Sequence, residues 1–252
     1  MTDETAHALA ELNRRFYAER AADFAETRQH PWAGFERCLP FLAPPTAHSA
    51  GPAPWRVLDA GCGNGRLGAF LRERADGPLA YLGIDESERL LAGARERLSG
   101  WDGARLTRAD LLSFALPRAG FDAVVLFGVL HHVPGRERRE ALMTGLGDAL
   151  APGGHLLATI WRADRFERFR DRFVPWQRCR ERTGIAVDPD DLEPGDVLLP
   201  WKQDPTAVRY CHFPSEAEVA GLVDASGLSV RETFDADGRE GELNRYWVLG
   251  PR

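Results

Sequence analysis

"VLDAGCGNGRLGAFL", Val57 to Leu71, begins as an apolar strand, breaks into a glycine-rich turn and ends in helical periodicity. Gly61, Gly63 and Gly65 let the backbone turn sharply and approach a ligand where a side chain would collide. Asp59 closes the strand, where its carboxylate can accept from turn amides or, through water, from a ligand ammonium. Such turns also serve plain strand-to-helix packing, so the residues at the ends of the next strands decide between the two. Asp85 comes 20 residues after Gly65 at the end of "YLGID", the place where an acidic side chain takes both hydroxyls of a ribose. "TRAD" then sets Asp110 at the end of a third strand, where it can accept from an adenine amino group beside Leu111. Any one of these carboxylates could be a helix N-cap, and Asp85 before "ESERLL" is placed to be one as well. Three acids ending three successive strands point to a ligand site.

Outward from this turn, short apolar runs alternate with helical patterns. Candidate strands are "RVLDA", "LAYLGID", "ARLTRAD", "FDAVVLFG", "HLLATIW", "LSVRETF" and "NRYWVLG". Helices are expected over about 67–75, 87–98, 136–150 and 215–225, and before the turn over about 5–17 and 31–41, with Pro31 suited to a first helical position. This alternation predicts a Rossmann-like α/β fold, a doubly wound, mostly parallel sheet with ligands beyond the carboxyl ends of its strands. The chain divides into four regions: an N-terminal helical cap (1–54) ending in the loop "APPTAHSAGPAP", a core (55–161), an arginine-rich insertion or lid (162–211) and a C-terminal helix with strands (212–252). The insertion opens with eight arginines between 162 and 182, a pattern that a solvated helix with internal ion pairs would also give.

Composition bounds the function classes. A chain of 252 residues that is 44% hydrophobic can bury one sizeable core. No apolar run reaches the roughly 18 residues of a membrane span, and the acidic, amphipathic N-terminus is unlike a secretory signal. Cys38, Cys62, Cys179 and Cys211 are scattered, with no metal or redox spacing, so reduced thiols in a cytoplasmic protein and no bound metal are expected. A formal net charge of -6 argues against holding nucleic acid by bulk electrostatics, though not against a local basic face.

The turn departs from the G-x-G-x-x-G of NAD-binding proteins. Asp59, Gly61, Gly63 and Gly65 form D-x-G-x-G-x-G, and with "LFGVLHHVP" and "LAPGGHLLATIW" the stretch from about Trp55 to Trp161 resembles the class I S-adenosylmethionine (SAM) methyltransferases. The resemblance implies SAM as cofactor, Phe127 and Gly128 flanking its methionine part, a seven-stranded sheet and an antiparallel last strand. It also assigns "LHHV" to ordering the loop, which weighs against His131 or His132 as a general base.

The outer segments are similar to one group within that family, the methyltransferases of modified wobble uridine in tRNA, typified by yeast tRNA methyltransferase 9 and human AlkB homolog 8. "ETRQHPW" matches its E-T-R-x-x-P-W through Glu26, Thr27, Arg28, Pro31 and Trp32, and "LLPWK" followed by "RYCHF" matches its P-W and R-Y-Y-H elements, with Cys211 replacing a tyrosine. The closing element is spread out as "NRYW" where the group has N-W. The resemblance implies methyl-ester formation on a carboxymethyl group, tRNA as partner and a small zinc-binding activator subunit of the tRNA methyltransferase subunit 112 type. A carboxylate acceptor is ionised at neutral pH, so the site must align and compensate charge. Arg28 and Arg209 are then carboxylate or phosphate ligands, with Trp32, Tyr210 and His212 as pocket walls or hydrogen-bond partners. The bland alternatives are that Arg28 pairs with Glu26 and that Tyr17 and Trp32 dock the N-terminal helices. Two further functions fit the core motifs: an O-methyltransferase of a small molecule, or a non-catalytic SAM-binding regulatory subunit.

Overall fold

Strand β1 (Trp55–Ala60) carries buried side chains on both faces, as a strand covered from two sides must. Leu58 and Ala60 pack toward α5 (Arg136–Asp148) and α8 (Glu216–Ala225) through Leu142, Met143, Leu146 and Leu222. Val57 packs on the other face with α2 (Gly34–Leu42) and α3 (Arg66–Arg74) through Phe35, Leu67, Phe70 and Leu71. The computed structural model describes residues 1–26, 29–42, 53–202 and 204–252.

Around β1 the sheet is completed by β2 (Leu79–Asp85), β3 (Ala104–Arg108), β4 (Phe121–Leu126), β5 (Leu150–Trp161), β8 (Ser229–Ala236) and β9 (Asn244–Gly250). Their order is β3-β2-β1-β4-β5-β9-β8, with β1 to β5 parallel and β9 antiparallel to both β5 and β8. The direction of winding reverses between β1 and β4, so the connections leaving their carboxyl ends diverge and open a crevice there. This is the expected doubly wound fold, with α4 (Glu88–Arg97) completing the layer beside α3.

Three local differences from the sequence reading have physical reasons. Helix α1 spans Asp3–Glu26 instead of ending near Tyr17, because "AERAADFAE" continues with strong helix formers. Helix α2 starts at Gly34, not Pro31, and the Gly34 N–H donates to Asp237 Oδ1 at 3.0 Å, an acceptor remote in sequence. The insertion is no single ion-paired helix. It holds α6 (Glu167–Arg170), α7 (Cys179–Thr183) and an antiparallel hairpin, β6 (Asp196–Pro200) and β7 (Val208–His212), that forms its own two-stranded sheet. Leu9 and Leu12 of α1 pack on Leu198, Val208 and Tyr210 of that hairpin, so α1 joins the insertion to the core.

Candidate functional site

The Val57–Leu71 unit folds as its glycines require. Gly61, Gly63 and Gly65 have φ of 82°, 56° and 73°. A Cβ on Gly61 would lie 2.2 Å from Val129 Cγ2, whereas a Cβ on Gly63 would meet nothing within 4 Å and would project into open space. That space is a cavity of about 850 Å³ at the carboxyl ends of β1, β2 and β4. Gly65 does not reach its wall and packs against Ala94 of α4.

Asp59, Asp85, Asp110 and Leu111 line one wall of this cavity and Phe127 and Gly128 another. Asp85 accepts from the Gly63 N–H at 2.9 Å and the Ser87 N–H at 2.8 Å, which fixes its carboxylate across the glycine turn. It is not the N-cap of α4; that is Ser87, whose Oγ accepts from the Leu90 N–H. Asp110 Oδ1 accepts from the Leu112 N–H at 2.9 Å. Asp59 is buried and accepts from the Tyr81 hydroxyl at 2.6 Å, in place of the turn amides expected for it. Burial pushes the Asp59 carboxyl up to about 7, against the opposing pull of that hydroxyl. Phe127 stacks on Phe35 at 5.5 Å, and the Gly128 N–H donates to Thr159 Oγ1 at 2.8 Å, so the end of β4 is held from both sides.

A donor set of this kind suits SAM. Carboxylates that have lone pairs to spare face the cavity at the ends of β1, β2 and β3, a glycine wall admits close approach, and the volume exceeds what one nucleoside fills. Arg66, which the sequence reading missed, also lines the cavity and stacks on Trp32, its guanidinium carbon 4.7 Å from the ring centre. Its signal was available: it is the first residue after the last glycine of the turn.

Of the expected acceptor-side residues, Arg209 reaches the cavity. Its guanidinium is 5.1, 5.5 and 5.3 Å from the ring centres of Phe16, Trp161 and Trp201. It is 6% exposed, and Nε and Nη1 have no hydrogen-bond partner among the described residues. Trp32 is a wall, tilted against Phe35 and Phe127. Arg28 and Thr27 lie outside the described residues.

Tyr210 and His212 do not line the cavity. Alternation along β7 turns them to the opposite face from Arg209, into a buried ionic cluster. The Tyr210 hydroxyl donates to Asp196 Oδ1 at 2.6 Å. His212 places Nδ1 2.7 Å from Asp196 Oδ1 and Nε2 3.0 Å from Glu218 Oε2. Ionised carboxylates only accept, so both ring nitrogens carry protons and His212 is an imidazolium; these contacts raise its pKa against the opposing effect of burial. Glu193, Asp196 and His212 have the separation of a metal-ligand set, but Arg139 sits among them, 2.5 Å from Glu193 and 2.6 Å from Glu218, and supplies the positive charge itself.

His132 is tied on both nitrogens. Nδ1 is 3.1 Å from the Tyr210 carbonyl and Nε2 is 2.6 Å from the Tyr17 hydroxyl. A carbonyl cannot donate, so Nδ1 holds a proton and donates to it, while Nε2 is engaged by the Tyr17 hydroxyl. Asn13 completes this junction: its amide brackets the N–H and C=O of Tyr210 at 2.8 and 3.1 Å and also donates to the His132 carbonyl at 3.1 Å. Asn13, Arg14 and Tyr17, at helical spacing on α1, thereby roof the cavity.

Residues 58–156 match the family model described as a methyltransferase domain. The chain is 35% identical over 216 residues to a protein of Encephalitozoon cuniculi named as a methyltransferase, covering 86% of each. It is 31% identical over 186 residues to the tRNA (carboxymethyluridine(34)-5-O)-methyltransferase of Mus musculus, covering 72% of this chain and 25% of that one, so it spans about a quarter of that relative's length. Among solved structures it superimposes on the 1,6-didemethyltoxoflavin-N1-methyltransferase of Burkholderia thailandensis with S-adenosylhomocysteine bound (TM-score 0.62, 17% identity, 97% of this chain and 89% of that one). It also superimposes on a methyltransferase of Haloferax volcanii solved with the Trm112 methyltransferase activator (TM-score 0.59, 15% identity, 95% and 97%). In sequence over most of its length and in the fold that builds the cofactor cavity, the chain belongs to the SAM-dependent methyltransferases.

Proposed function

We propose that this methyltransferase esterifies the carboxylate of a carboxymethyl-type group on the wobble uridine of tRNA. The observation that carries the reading is Arg209, a guanidinium caged by three aromatic rings, facing the cofactor cavity with Nε and Nη1 unpartnered among the described residues. Buried donors in that state favour an anionic ligand, and a planar fork suits the two oxygens of a carboxylate. The relative named for carboxymethyluridine-34 methylation supports the choice of acceptor.

SAM supplies an electrophilic methyl group: the bond from sulfur to methyl breaks as the bond from carboxylate oxygen to methyl forms. The protein has no proton to remove, which accords with His132 being held on both nitrogens by Tyr210 and Tyr17. What it supplies is alignment. Arg209 fixes the acceptor oxygens, Trp32 and Trp161 present flat walls to a base, and α1 excludes water from above. In this reading residues 162–211 form the lid of the acceptor half, Arg28 joins Arg209 in holding the anion, and a Trm112-type activator serves as partner. Support for that partner is the fold likeness to the Haloferax chain.

Nucleosides from tRNA of deletion and wild-type cells, compared by mass spectrometry, provide the test. Loss of the methyl ester at the wobble position is expected; unchanged wobble uridines, with methyl transfer to a small carboxylic acid instead, would replace this reading with the small-molecule one. For the residue itself, Arg209→Gln should leave SAM affinity intact in calorimetry and lower methyl transfer by roughly 10²–10³-fold, in line with the loss of a charge-stabilising donor. Lost SAM affinity would move Arg209 to the cofactor side.

A further inference from the structure

Among the described residues of the arginine-rich segment, Arg209 alone lines the cavity, and the charge of the segment is distributed unevenly. Arg162, Arg165, Arg168 and Arg178 are paired with Asp235, Glu216, Glu240 and Glu181. Arg172, Arg180 and Arg182 have no carboxylate partner among the described residues, and neither have Lys202 and Arg15 of α1.

Four of these cations share one neighbourhood, and Arg180 belongs to the short helix α7 beside them. Arg15 Nη2 donates to the Thr183 carbonyl at the end of α7 at 3.2 Å. Arg182 donates to the Pro205 carbonyl, and Arg172 Nη2 to the Pro200 carbonyl at 3.3 Å, so both hold the loop between β6 and β7 that contains Lys202. Bonds to carbonyls orient a guanidinium without neutralising it. Two of the nearby acids are already engaged: Asp204 pairs with Arg20 and Glu181 with Arg178. The same loop carries Trp201, one wall of the Arg209 cage, so this band lies next to the residue that holds the acceptor.

We infer that the band formed by Arg15, Arg172, Arg180, Arg182 and Lys202 takes the phosphate backbone of tRNA and seats one nucleotide toward Arg209. This rests on the tRNA reading above and adds where the macromolecule is held. Phosphate is favoured by the chemistry, since arginines fixed by a carbonyl still present N–H groups to an anion, and most binding free energy for nucleic acid comes from such contacts. A lipid surface is disfavoured because the large exposed apolar side chains among the described residues, Leu112, Phe114 and Val230, lie on other segments. The overall charge of -6 makes the local excess the more informative: binding must be confined to this face.

The test compares wild type with the triple variant Arg180→Glu/Arg182→Glu/Lys202→Glu and the control Arg118→Glu. Arg118 is 84% exposed beside the amino end of β4, away from the cavity. Fluorescence anisotropy with a tRNA transcript is measured across a salt series, with S-adenosylhomocysteine calorimetry as the check on folding. The triple variant should lose at least about tenfold in tRNA affinity and reduce the salt slope by roughly 2, as three lost phosphate contacts imply. Its S-adenosylhomocysteine affinity should not change, and the control should match wild type. Wild-type tRNA binding with an unchanged affinity and slope in the triple variant would overturn the placement while leaving the tRNA reading standing. Wild type that binds no tRNA overturns both. Binding to vesicles of anionic phospholipid in preference to tRNA would assign the band to a membrane surface.

Discussion

At the scale of single residues, the cofactor wall is built from short, fixed bonds. Asp85 bridges the Gly63 and Ser87 amides, so removing its carboxylate both unties the glycine turn and deletes the acceptor expected for ribose. Asp85→Ala should therefore weaken SAM at least about a hundredfold, or roughly 2.7 kcal/mol, read by calorimetry; retained affinity would show that ribose is held elsewhere. Asp59 illustrates the limit of spacing arguments. Its place at the strand end was legible, but its partner is Tyr81, a residue on the neighbouring strand brought in register by the pairing of β1 with β2. His132 is similar: sequence motifs said that it orders a loop, and only the positions of Tyr17 and Tyr210 show how both nitrogens are engaged.

At the scale of elements, the β6–β7 hairpin is held by two devices. One is Asn13, whose amide substitutes for a neighbouring strand on the open edge of β7. Asn13→Ala leaves a buried N–H and weakens support for the C=O of Tyr210, and should cost about 1–3 kcal/mol in urea unfolding. The other is the imidazolium of His212 between Asp196 and Glu218. Its pKa is raised in the folded protein above the ordinary 6.5, while that of Glu218 is held below the ordinary 4.5 by His212 and Arg139 despite burial. The His212 contribution is thus full below pH 6.5 and is lost as pH rises through the raised folded value; that of Glu218 is full above pH 4.5 and is lost as pH falls through the depressed one. Denaturation midpoints should fall in wild type as pH rises above 6.5 and through the raised folded value of His212. The fall should be smaller in His212→Gln, and an equal fall in both proteins would exclude His212 as the cause.

At the scale of the whole molecule, α1 and the cluster around Arg139 join the hairpin to α5, α8 and the sheet, so core and insertion should unfold together. Bound product stabilises the folded state by mass action. S-adenosylhomocysteine at about a hundredfold excess over its Kd should add about 2.7 kcal/mol. For a chain of this size that is a rise of roughly 5–10 °C in one unfolding transition followed by scanning fluorimetry. A second transition that the ligand leaves unmoved would show that the hairpin unfolds separately.

The sequence by itself determined the alternation of strands and helices, the glycine turn and the three acids at strand ends, because these depend on local periodicity and on residues within a few positions of one another. Only the tertiary structure decided which face of β7 meets the cavity. Arg209, Tyr210 and His212 are close together in "VRYCHF", yet alternation sends Arg209 to the cavity and the other two into an ionic cluster with Asp196 and Glu218. It also decided the start of α2, which depends on Asp237 held at φ 66° beyond β8, and the roof that α1 forms over the cavity. Each of these relies on partners distant in the chain, and a side chain's chemistry does not reveal which distant group will be packed beside it until the strands have chosen their register.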